Sequence, residues 1–261
     1  MRPTTLLKYA VLPLAAMCLA PLACLAQGSA ESTIEVLTEQ PKPGMTAKFE
    51  EGVKAVDTYA QSHGDTAGTD AFEVIDGPDE GQIAVLLDFN WADQDRTPSY
   101  GAGLDRVAVQ KVEPYLAWGH VTLWDLLPAL SNLPPANAPA AKYYERVNLV
   151  IKPSRMGDFL TAVRQIAAVS RKGNGGPHPG YFQVYVERSG GNADAVIIAI
   201  PHVSMASFAQ GGDSPFEMLR KAYGEQSVAI WSSLERAIAS EQDDIVRYRP
   251  DLSFIPSGQA R

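Results

Sequence analysis

The sequence predicts an α+β protein in which one β-α-β-β-α-β unit occurs twice. The main observation is an internal match, because "KPGMTAKFEEGVKAV" (42–56) aligns with "KPSRMGDFLTAVRQI" (152–166) at an offset of 110 residues. The same offset pairs "AFEV" (71–74) with "YFQV" (181–184), so Phe72 is aligned with Phe182. Matches at a constant spacing indicate a duplicated structural unit rather than coincidence.

The two copies also end in similar segments. "PALSNLP" at 128–134 and "PDLSFIP" at 250–256 lie 122 positions apart, so the second copy holds about 11 extra residues after Ile200. Proline and serine favour turns, so we interpret each ending as the chain leaving the last strand of a unit; a binding motif is the alternative. The predicted boundaries are a first unit at 31–134, a Pro/Ala-rich linker at 135–143 and a second unit at 144–256.

Hydrophobic periodicity assigns the elements of the second copy. Alternating apolar residues predict strands, apolar residues spaced by three and four predict helices, and Gly-rich stretches predict turns. The predicted order is a strand at 145–152, a helix from Ser154 to the glycines near 173–176, strands at 181–187 and 195–200, helices at 213–224 and 227–240, and a strand at 244–249. Ser214, Pro215 and Gly224 mark the start and the end of the helix at 213–224.

The first copy has the same order of elements. They are a strand at 33–39, a helix from Gly44 to Gln61, strands at 71–75 and 83–89 around the turn at 76–81, a helix near 102–112, and a strand at 120–124. This order is the split βαβ or ferredoxin-like arrangement. Such a sheet carries helices on one face only, so its other face must be covered or stay wet. We therefore expect the two sheets to pack against each other within the chain.

Three segments of the second copy resemble a known superfamily. They are "VNLVIKPSRMGDFLTAVRQI", "YFQVYV" and "AVIIAIPHVSMASFA", followed by a closing strand. In these segments the chain is similar to a tandem-duplicated member of the dimeric α+β barrel superfamily, which includes NIPSNAP-like proteins, stress-responsive barrel proteins and antibiotic-biosynthesis-type monooxygenases. The resemblance covers nearly all of residues 33–254 and implies an intrachain α+β barrel. The helical insertion after Met205 and the broken helix of the first copy depart from the pattern.

The first 26 residues have the pattern of a secretory signal peptide. Arg2 and Lys8 precede an apolar run that ends in small residues and that two prolines interrupt. A membrane anchor is the alternative, but the run is short for a spanning helix, which needs about 20 apolar residues. We predict cleavage after Ala26 and a periplasmic or secreted protein, with lipid attachment at Cys24 as the alternative.

Cysteine content and charge restrict the partners of the mature chain. Cys18 and Cys24 both lie in the predicted signal peptide, so the mature chain would hold no disulfide. Removal of Arg2 and Lys8 leaves 20 of the 22 basic residues against 30 acidic ones, a net charge of −10. Phosphate binding needs clustered Lys and Arg, and the sequence has no such run. We therefore expect neither nucleic acid nor, after signal cleavage, a membrane as a partner.

Strand alternation selects the candidate ligand-binding residues. On "YFQVYVE" the period of two directs Phe182 and Val184 towards the helices and the neighbouring polar side chains towards the space between the sheets. The predicted ligand-facing residues are Tyr181, Gln183, Tyr185, Arg146, Asn148, Glu73 and Asp88, with His120 and Trp124 on the equivalent face of the first copy. A polar and aromatic lining suits a pocket for a small apolar or aromatic ligand. The alternative is an interface of polar groups that satisfy one another.

The histidines give no metal-binding pattern. His63, His120, His178 and His202 form none of the usual zinc motifs, and the mature chain offers no cysteine ligand, so we predict no metal and no cofactor. His202 occupies the position that Trp91 holds in the first copy, just past the third strand. Because some relatives of this fold bind haem, an axial haem ligand at His202 is the alternative.

Two functions remain open at this level. The first is an exported binding or structural protein without catalytic residues, formed by two ferredoxin-like halves around a small ligand. The second is a monooxygenase-like enzyme, cofactor-free or haem-dependent, with His202 or the Tyr181 and Tyr185 face at its centre. A fold does not decide between them, because function resides in sites. A homo-oligomer assembled through exposed sheet edges is a further expectation.

Overall fold

A computed structural model of the chain describes residues 32–95, 99–173, 180–210 and 212–256. The predicted signal peptide with Cys18 and Cys24 lies outside the described residues, and so does His178. Across the described ranges, every helix is too short or too polar to cross a membrane.

The first copy contains four strands and two α-helices. They are β1 (Ser32–Pro41), α1 (Thr46–Ser62), β2 (Asp70–Asp76), β3 (Ile83–Phe89), α2 (Gly101–Lys111) and β4 (Leu116–Leu126). Short 3₁₀ turns at Trp91–Asp93, Glu113–Tyr115 and Pro128–Leu130 follow β3, α2 and β4. The order of elements is the predicted one. The second helix of this copy, α2, is shorter than the two-helix segment at 215–237 that takes its place in the second copy.

The second copy contains four strands and three α-helices. They are β5 (Tyr143–Ile151), α3 (Met156–Lys172), β6 (Gln183–Ser189), β7 (Ala195–His202), α4 (Pro215–Tyr223), α5 (Gln226–Ala237) and β8 (Ile238–Tyr248). The extra residues of this copy form the start of the α4–α5 segment. A capping box between Ser214 and Glu217 marks the beginning of α4. The last strand starts at Ile238, six residues before the predicted start, because α5 passes into β8 without a loop.

All eight strands pair into one closed barrel. Their order is β1-β3-β2-β8-β5-β7-β6-β4, and every pairing is antiparallel. Each copy contributes four adjacent strands, and the two sheets join at two seams, β2 with β8 and β4 with β6. The predicted fold, two ferredoxin-like repeats that form an intrachain α+β barrel, is confirmed.

The helices cover the outer face of the barrel. In the first copy, Phe49 and Val53 of α1 pack against Ile83 of β3. In the second copy, Phe159 of α3 packs in the same cluster as Val184 of β6. These side chains are buried, so each half has its own apolar core between helices and sheet, and burial of such side chains is the main stabilising term.

The two seams are built alike at the hairpin turns. Gly77 and Gly190 both adopt positive φ, 115° and 102°, and both lie directly against the neighbouring strand. A Cβ atom would lie 2.3 Å from Asp244 Oδ1 at Gly77 and 2.4 Å from the Val121 carbonyl oxygen at Gly190. Only glycine fits this approach, so both turns, 77–82 and 190–194, rest on the partner copy at the same end of the barrel.

Candidate ligand-binding site

Strand pairing determines which side chains point into the barrel, because directly paired residues share a face of the sheet. Starting from the helix-facing clusters, the alternate residues of each strand are the inward ones. They include Ile34 and Val36 of β1, Asp70 and Phe72 of β2, Leu86 and Asp88 of β3, Thr122, Trp124 and Leu126 of β4, Tyr144, Arg146 and Asn148 of β5, Gln183, Tyr185 and Glu187 of β6, Ala195, Ile197 and Ala199 of β7, and Gln242, Asp244, Val246 and Tyr248 of β8. We call the space that they enclose the lumen.

Several inward side chains of the lumen are partly accessible to solvent. The inward residues Val36, Leu86, Tyr144, Ile197 and Ala199 are only partly buried. In a closed barrel, inward side chains in the middle of a strand can meet solvent only through the interior. An eight-stranded barrel is just wide enough to be filled by side chains or to hold one small ligand. The partial exposure therefore indicates room for a small molecule.

One end of the lumen carries carboxylates and tyrosines. This carboxylate end consists of Asp70, Asp88, Tyr144 and Tyr185, which four different strands supply. Asp88 is exposed at the mouth of the barrel, and loss of hydration against the barrel wall, together with the charge of Asp70, raises its pKa above 3.8. No described residue forms a hydrogen bond or an ion pair with the Asp88 carboxylate.

The two tyrosines lie deeper than Asp88. Tyr185 is 7% exposed and donates its hydroxyl proton to Gln183 Oε1 at 3.0 Å. Burial, and then the charge of Asp70, raise the pKa of Tyr144 to about 12. Burial, and then the neighbouring Tyr144 and Asp88, raise the pKa of Tyr185 as well. Both phenols are therefore neutral at physiological pH. The Tyr144 hydroxyl makes no hydrogen bond to a described residue, so it remains available to a ligand.

Three aromatic rings adjoin this end of the lumen. The Phe72 ring centroid lies 5.6 Å from that of Tyr144 at an interplanar angle of 82°, and 5.5 Å from that of Tyr248 at 58°. On the opposite wall, Trp124 is 8% exposed and its indole nitrogen donates to Thr122 Oγ1 at 2.8 Å. The carboxylate end thus combines charged, hydroxyl and aromatic groups around a mostly apolar wall.

The other end of the lumen carries several polar groups that pair with one another. We call it the hairpin end, formed by Asp79, Arg146, Asn148, Gln242 and Asp244. The Asp244 Oδ2 atom accepts from the Arg146 guanidinium at 2.7 Å and from Asn148 Nδ2 at 2.6 Å, and the Asp244 side chain is fully buried. Asp79 of the β2–β3 turn accepts from Gln242 Nε2 at 3.0 Å and lies 4.0 Å from Arg146. Arg146 and Asn148 therefore point inward as predicted, but they bind Asp244.

Glu73 lies on the opposite side of the sheet from its predicted position. It faces outward, where its carboxylate pairs with Arg247 at 2.6 Å and with Arg249 at 2.9 Å across the β2–β8 seam. These arginines lower the pKa of Glu73 although desolvation opposes them. The predicted interior position of Glu73 is wrong, because Phe72 points inward and pairs with Tyr248, whereas its supposed counterpart Phe182 packs against the helices.

Two other predicted positions need qualification from the strand bounds. Tyr181 precedes β6, which begins at Gln183, so strand alternation does not place it in the lumen. His120 lies on the inward face of β4, but β6 ends before reaching it, and its ring stacks on exposed Trp118 with centroids 5.5 Å apart. His120 is thus a residue of the barrel rim at the hairpin end.

His202 lies outside the lumen. It is paired with Tyr143 on the outer face, and its ring stacks on Phe208 with centroids 3.8 Å apart. Its Nε2 atom is buried and faces Glu145 Oε2 at 3.8 Å, and Nδ1 lies 3.3 Å from Ser207 Oγ. An axial haem ligand needs an accessible ring nitrogen with space for a flat macrocycle beside it. The surroundings of His202 do not fit haem.

No group of three metal-binding side chains is present in the ranges that the structure describes. The carboxylate end holds two aspartates that lie on neighbouring strands, at a diagonal pair of positions typically about 7–8 Å apart. That arrangement offers too few ligands for the oxygen-rich coordination of Ca²⁺ or Mg²⁺.

Sequence analysis missed Asp70, Phe72, Tyr144, Tyr248 and Asp244 as interior residues. Tyr144 had a usable signal, because it alternates with Arg146 and Asn148, and extension of that strand by one step would have included it. Asp244 and Tyr248 lie within the strand predicted at 244–249, but which face of that strand points inward depends on its pairing with β2 and β5. Phe72 was obscured by the alignment of the two copies.

Comparisons with known proteins give a fold and no closer assignment. No protein-family model and no curated protein sequence matches the chain. A proposed monooxygenase from Lactobacillus acidophilus has a TM-score of 0.52 at 9% identity, and the match covers 86% of this chain and 96% of that one. An anthrone oxidase-like protein has a TM-score of 0.51 at 13% identity over 88% and 98% of the two chains.

A chlorite dismutase from Candidatus Nitrospira defluvii, studied as a single-site mutant, has a TM-score of 0.51 at 6% identity over 89% and 96% of the two chains. Identities this low establish a shared fold and nothing finer. These neighbours share the α+β barrel fold of this chain.

Proposed function

We propose that the chain binds one small, largely apolar or aromatic molecule in the lumen, at the carboxylate end. The observation that carries this proposal is the partial exposure of Tyr144, Leu86, Ile197 and Ala199 inside a closed barrel. A pocket that is mostly apolar with a few polar groups is the usual form of a small-ligand site. In such a pocket the Tyr144 hydroxyl would bind a polar group of the ligand, and the Tyr185–Gln183 pair would fix its orientation.

The hairpin end supports the choice of the carboxylate end. Arg146 and Asn148 both donate to Asp244 Oδ2, so a ligand there would have to break a buried ion pair. Loss of one partner of such a pair is costly, typically about 3–5 kcal/mol. The carboxylate end offers a polar lining that a ligand can use without this cost.

Occlusion of the lumen tests the proposal. The uncharged fluorescent probe N-phenyl-1-naphthylamine should bind the wild-type chain with enhanced emission. Ala199→Phe places a phenyl ring in the lumen and should reduce the affinity at least tenfold, whereas Ala117→Phe on the exposed part of β4 is the matched control and should leave it unchanged. Equal binding by all three proteins would refute a site in the lumen, provided that the thermal melts show folded variants.

A monooxygenase-like enzyme without a cofactor is the second candidate. It is favoured by the raised pKa of Asp88 beside an apolar lumen, since a carboxylate of raised pKa is a better general base. Two fold neighbours are described as a proposed monooxygenase and an anthrone oxidase-like protein. In this reading Asp88 removes a proton from an electron-rich aromatic substrate, and dioxygen then oxidises the resulting anion.

Anthrone tests the enzyme candidate directly. Anthrone and dioxygen give anthraquinone and water, so dioxygen uptake and anthraquinone absorbance should rise together in equal amounts. Asp88→Asn should abolish the rate above the spontaneous background, and Asp243→Asn, an exposed carboxylate change on the outer face of β8, should not. If the chain binds the probe but does not turn over anthrone, the enzyme candidate fails and only the binding function remains.

The haem-dependent form of this enzyme has less support, because the surroundings of His202 do not fit haem. The finer resemblance to NIPSNAP-like and stress-responsive barrel proteins rests on the sequence segments alone. We include it in the proposal as a relationship within the superfamily, without an activity attached.

We also propose that the chain acts outside the cytoplasm after removal of residues 1–26. The support is the sequence pattern around Arg2 and Lys8. Mass spectrometry of the native protein should give an N-terminus at Gln27. A lipid-modified N-terminal cysteine at Cys24 would instead show anchoring, and a retained Met1 would contradict export. Light scattering on the same sample reports whether the protein forms a homo-oligomer.

A further inference from the structure

We propose that the lumen selects organic cations, with the ammonium group of the ligand paired with Asp88 and lying against the aromatic rings of Phe72, Tyr144 and Tyr248. This inference rests on the proposed function, since it names the class of molecule that enters the same site. It narrows a small apolar or aromatic ligand to an amine or quaternary ammonium compound with an apolar body.

The first argument is the state of the Asp88 carboxylate. It points to the lumen from β3, at the position next to Ile34, and it makes neither a hydrogen bond nor an ion pair with any residue that the structure describes. Asp70 on the neighbouring strand adds negative charge, and this repulsion contributes to the raised pKa of Asp88. A cationic group would relieve both the lost hydration and the repulsion.

The second argument is the aromatic surface at the same end of the lumen, where Tyr144 lies close enough to Asp70 for that charge to help raise its pKa. Phe72 contacts Tyr144 in an edge-to-face arrangement and Tyr248 at a steep angle, with centroids 5.5–5.6 Å apart. Aromatic faces carry a negative quadrupole and attract cations within about 6 Å of the ring centroid, most strongly when water is excluded. Carboxylates and ring faces together create a negative electrostatic potential, which attracts an ammonium group and repels an anion.

The third argument is the distribution of basic residues. Among the inward residues of the described strands, Arg146 is the single arginine, and Asp244 binds it at the far end. Lys142 precedes β5 and is exposed, and it forms no ion pair with a described residue. Asp88 and Asp70 thus face a lumen in which the nearest inward cation is already neutralised.

A pair of isosteric probes tests the inference. Phenyltrimethylammonium and tert-butylbenzene have nearly the same shape and differ by one positive charge. Both are titrated against N-phenyl-1-naphthylamine bound to the wild-type chain, and displacement is followed by fluorescence. We expect the cation to displace the probe at a concentration at least tenfold lower than its neutral isostere, the scale of one partly desolvated cation–π contact with a charge pair.

Two variants locate the source of the preference. Asp88→Asn keeps the shape of the side chain and should bring the two displacement curves together, whereas the control Asp243→Asn should retain the wild-type ratio. Phe72→Leu keeps an apolar side chain but removes a ring, and it should weaken the cation several-fold more than tert-butylbenzene. The second variant keeps the test valid if Asp88→Asn alters the fold, which circular dichroism and melting would report.

Each outcome supports or overturns a specific statement. Equal displacement by both compounds in the wild-type chain overturns the cation preference and leaves binding in the lumen intact. An unchanged preference in Asp88→Asn overturns the role of Asp88. If the naphthylamine probe itself binds Ala199→Phe as well as the wild type, the proposed site in the lumen fails instead, so the two failures are distinguishable.

Discussion

The two ends of the lumen use similar residue types in opposite ways. At the hairpin end, Asp244 is fully buried and receives hydrogen bonds from Arg146 and Asn148. At the carboxylate end, Asp88 is partly desolvated beside a like charge and has no partner among the described residues. Buried polar groups normally pair with one another. The paired end therefore stabilises the barrel, and the end with a raised carboxylate pKa is the one that a ligand can complete.

The duplication explains how such a difference arises. The two copies place their strands symmetrically, so Asp244 of β8 and Thr122 of β4 occupy equivalent positions beside Gly77 and Gly190. Only the second copy supplies a carboxylate there, and only β5 supplies the arginine that pairs with it. The scaffold is symmetric, whereas the side chains of its interior are not. The ion pair that only the second copy forms occupies the hairpin end, and the carboxylate end remains as the candidate site.

The largest predicted effect is at the hairpin end. Asp244→Ala removes the partner of Arg146 and Asn148 and leaves a partly buried guanidinium without its carboxylate. We expect the free energy of unfolding to fall by about 3–5 kcal/mol, measured by urea denaturation. The neighbouring Asp243→Ala removes an exposed carboxylate of the outer face and should change stability by less than about 0.5 kcal/mol. Similar losses in both variants would contradict a structural role for the buried pair.

The opposite behaviour is expected at the carboxylate end. The folded-state pKa of Asp88 is raised, so its ionised form costs stability above that pKa and the protonated form does not. Asp88→Asn removes the charge permanently, and the free energy of unfolding at pH 7 should stay within about 0.5 kcal/mol of wild type or rise slightly. A marked destabilisation in urea titrations would show that Asp88 is structural, as Asp244 is.

The fold was predictable because it depends on patterns that repeat. The offset of 110 between Lys42 and Lys152, together with strand and helix periodicities, was enough to predict two ferredoxin-like units and their association. Closure through the β2–β8 and β4–β6 seams was not readable from the chain, since it depends on which sheet edges meet. The turn glycines that rest on the partner copy gave no separate signal.

The interior residues were harder to predict, because a shift by an odd number of residues moves every side chain to the other face. Pairing with the last strand of the other half makes Phe72 equivalent to Tyr185, whereas the sequence match aligned it with Phe182. Glu73 was therefore expected inside. On β2, Phe72 faces the lumen and Glu73 faces Arg247 and Arg249, whereas charged Asp70 faces inward and apolar Ala71 faces the helices. Hydrophobic alternation alone therefore does not identify the inward face of this strand.

The pH dependence of binding separates the two ends further. Phenyltrimethylammonium pairs with ionised Asp88, so its affinity should be full above the raised pKa of Asp88 and fall as the pH decreases through it. The groups that face Asp88 from the other strands are Asp70, Tyr144 and Tyr185, and both phenols stay neutral because their pKa values are raised. We expect the affinity to fall by about tenfold in all and then to level off, because protonated Asp88 should bind the cation no better than the Asp88→Asn variant does.

Fluorescence displacement between pH 4 and pH 8 measures this dependence. The tert-butylbenzene curve should stay flat over the same range, because no charge takes part in its binding. In Asp88→Asn the cation curve should become flat as well. A pH dependence that survives in this variant would assign the titration to Asp70, and a sloping tert-butylbenzene curve would show that the barrel itself changes with pH.

The smallest predicted effect is on the outer face, at His202. Its ring packs against Phe208 and its Nε2 atom is buried, and burial lowers its pKa although Glu145 acts in the other direction. His202→Ala should change displacement by either probe less than twofold, because the side chain lies across the sheet from the lumen. When haem is added, the wild-type chain and His202→Ala should give the same Soret absorbance. The contrary result is a Soret band that the wild type shows and this variant lacks. Such a band would show that the packing around His202 opens to admit the macrocycle, and it would move the active centre from the lumen to the outer face of β7.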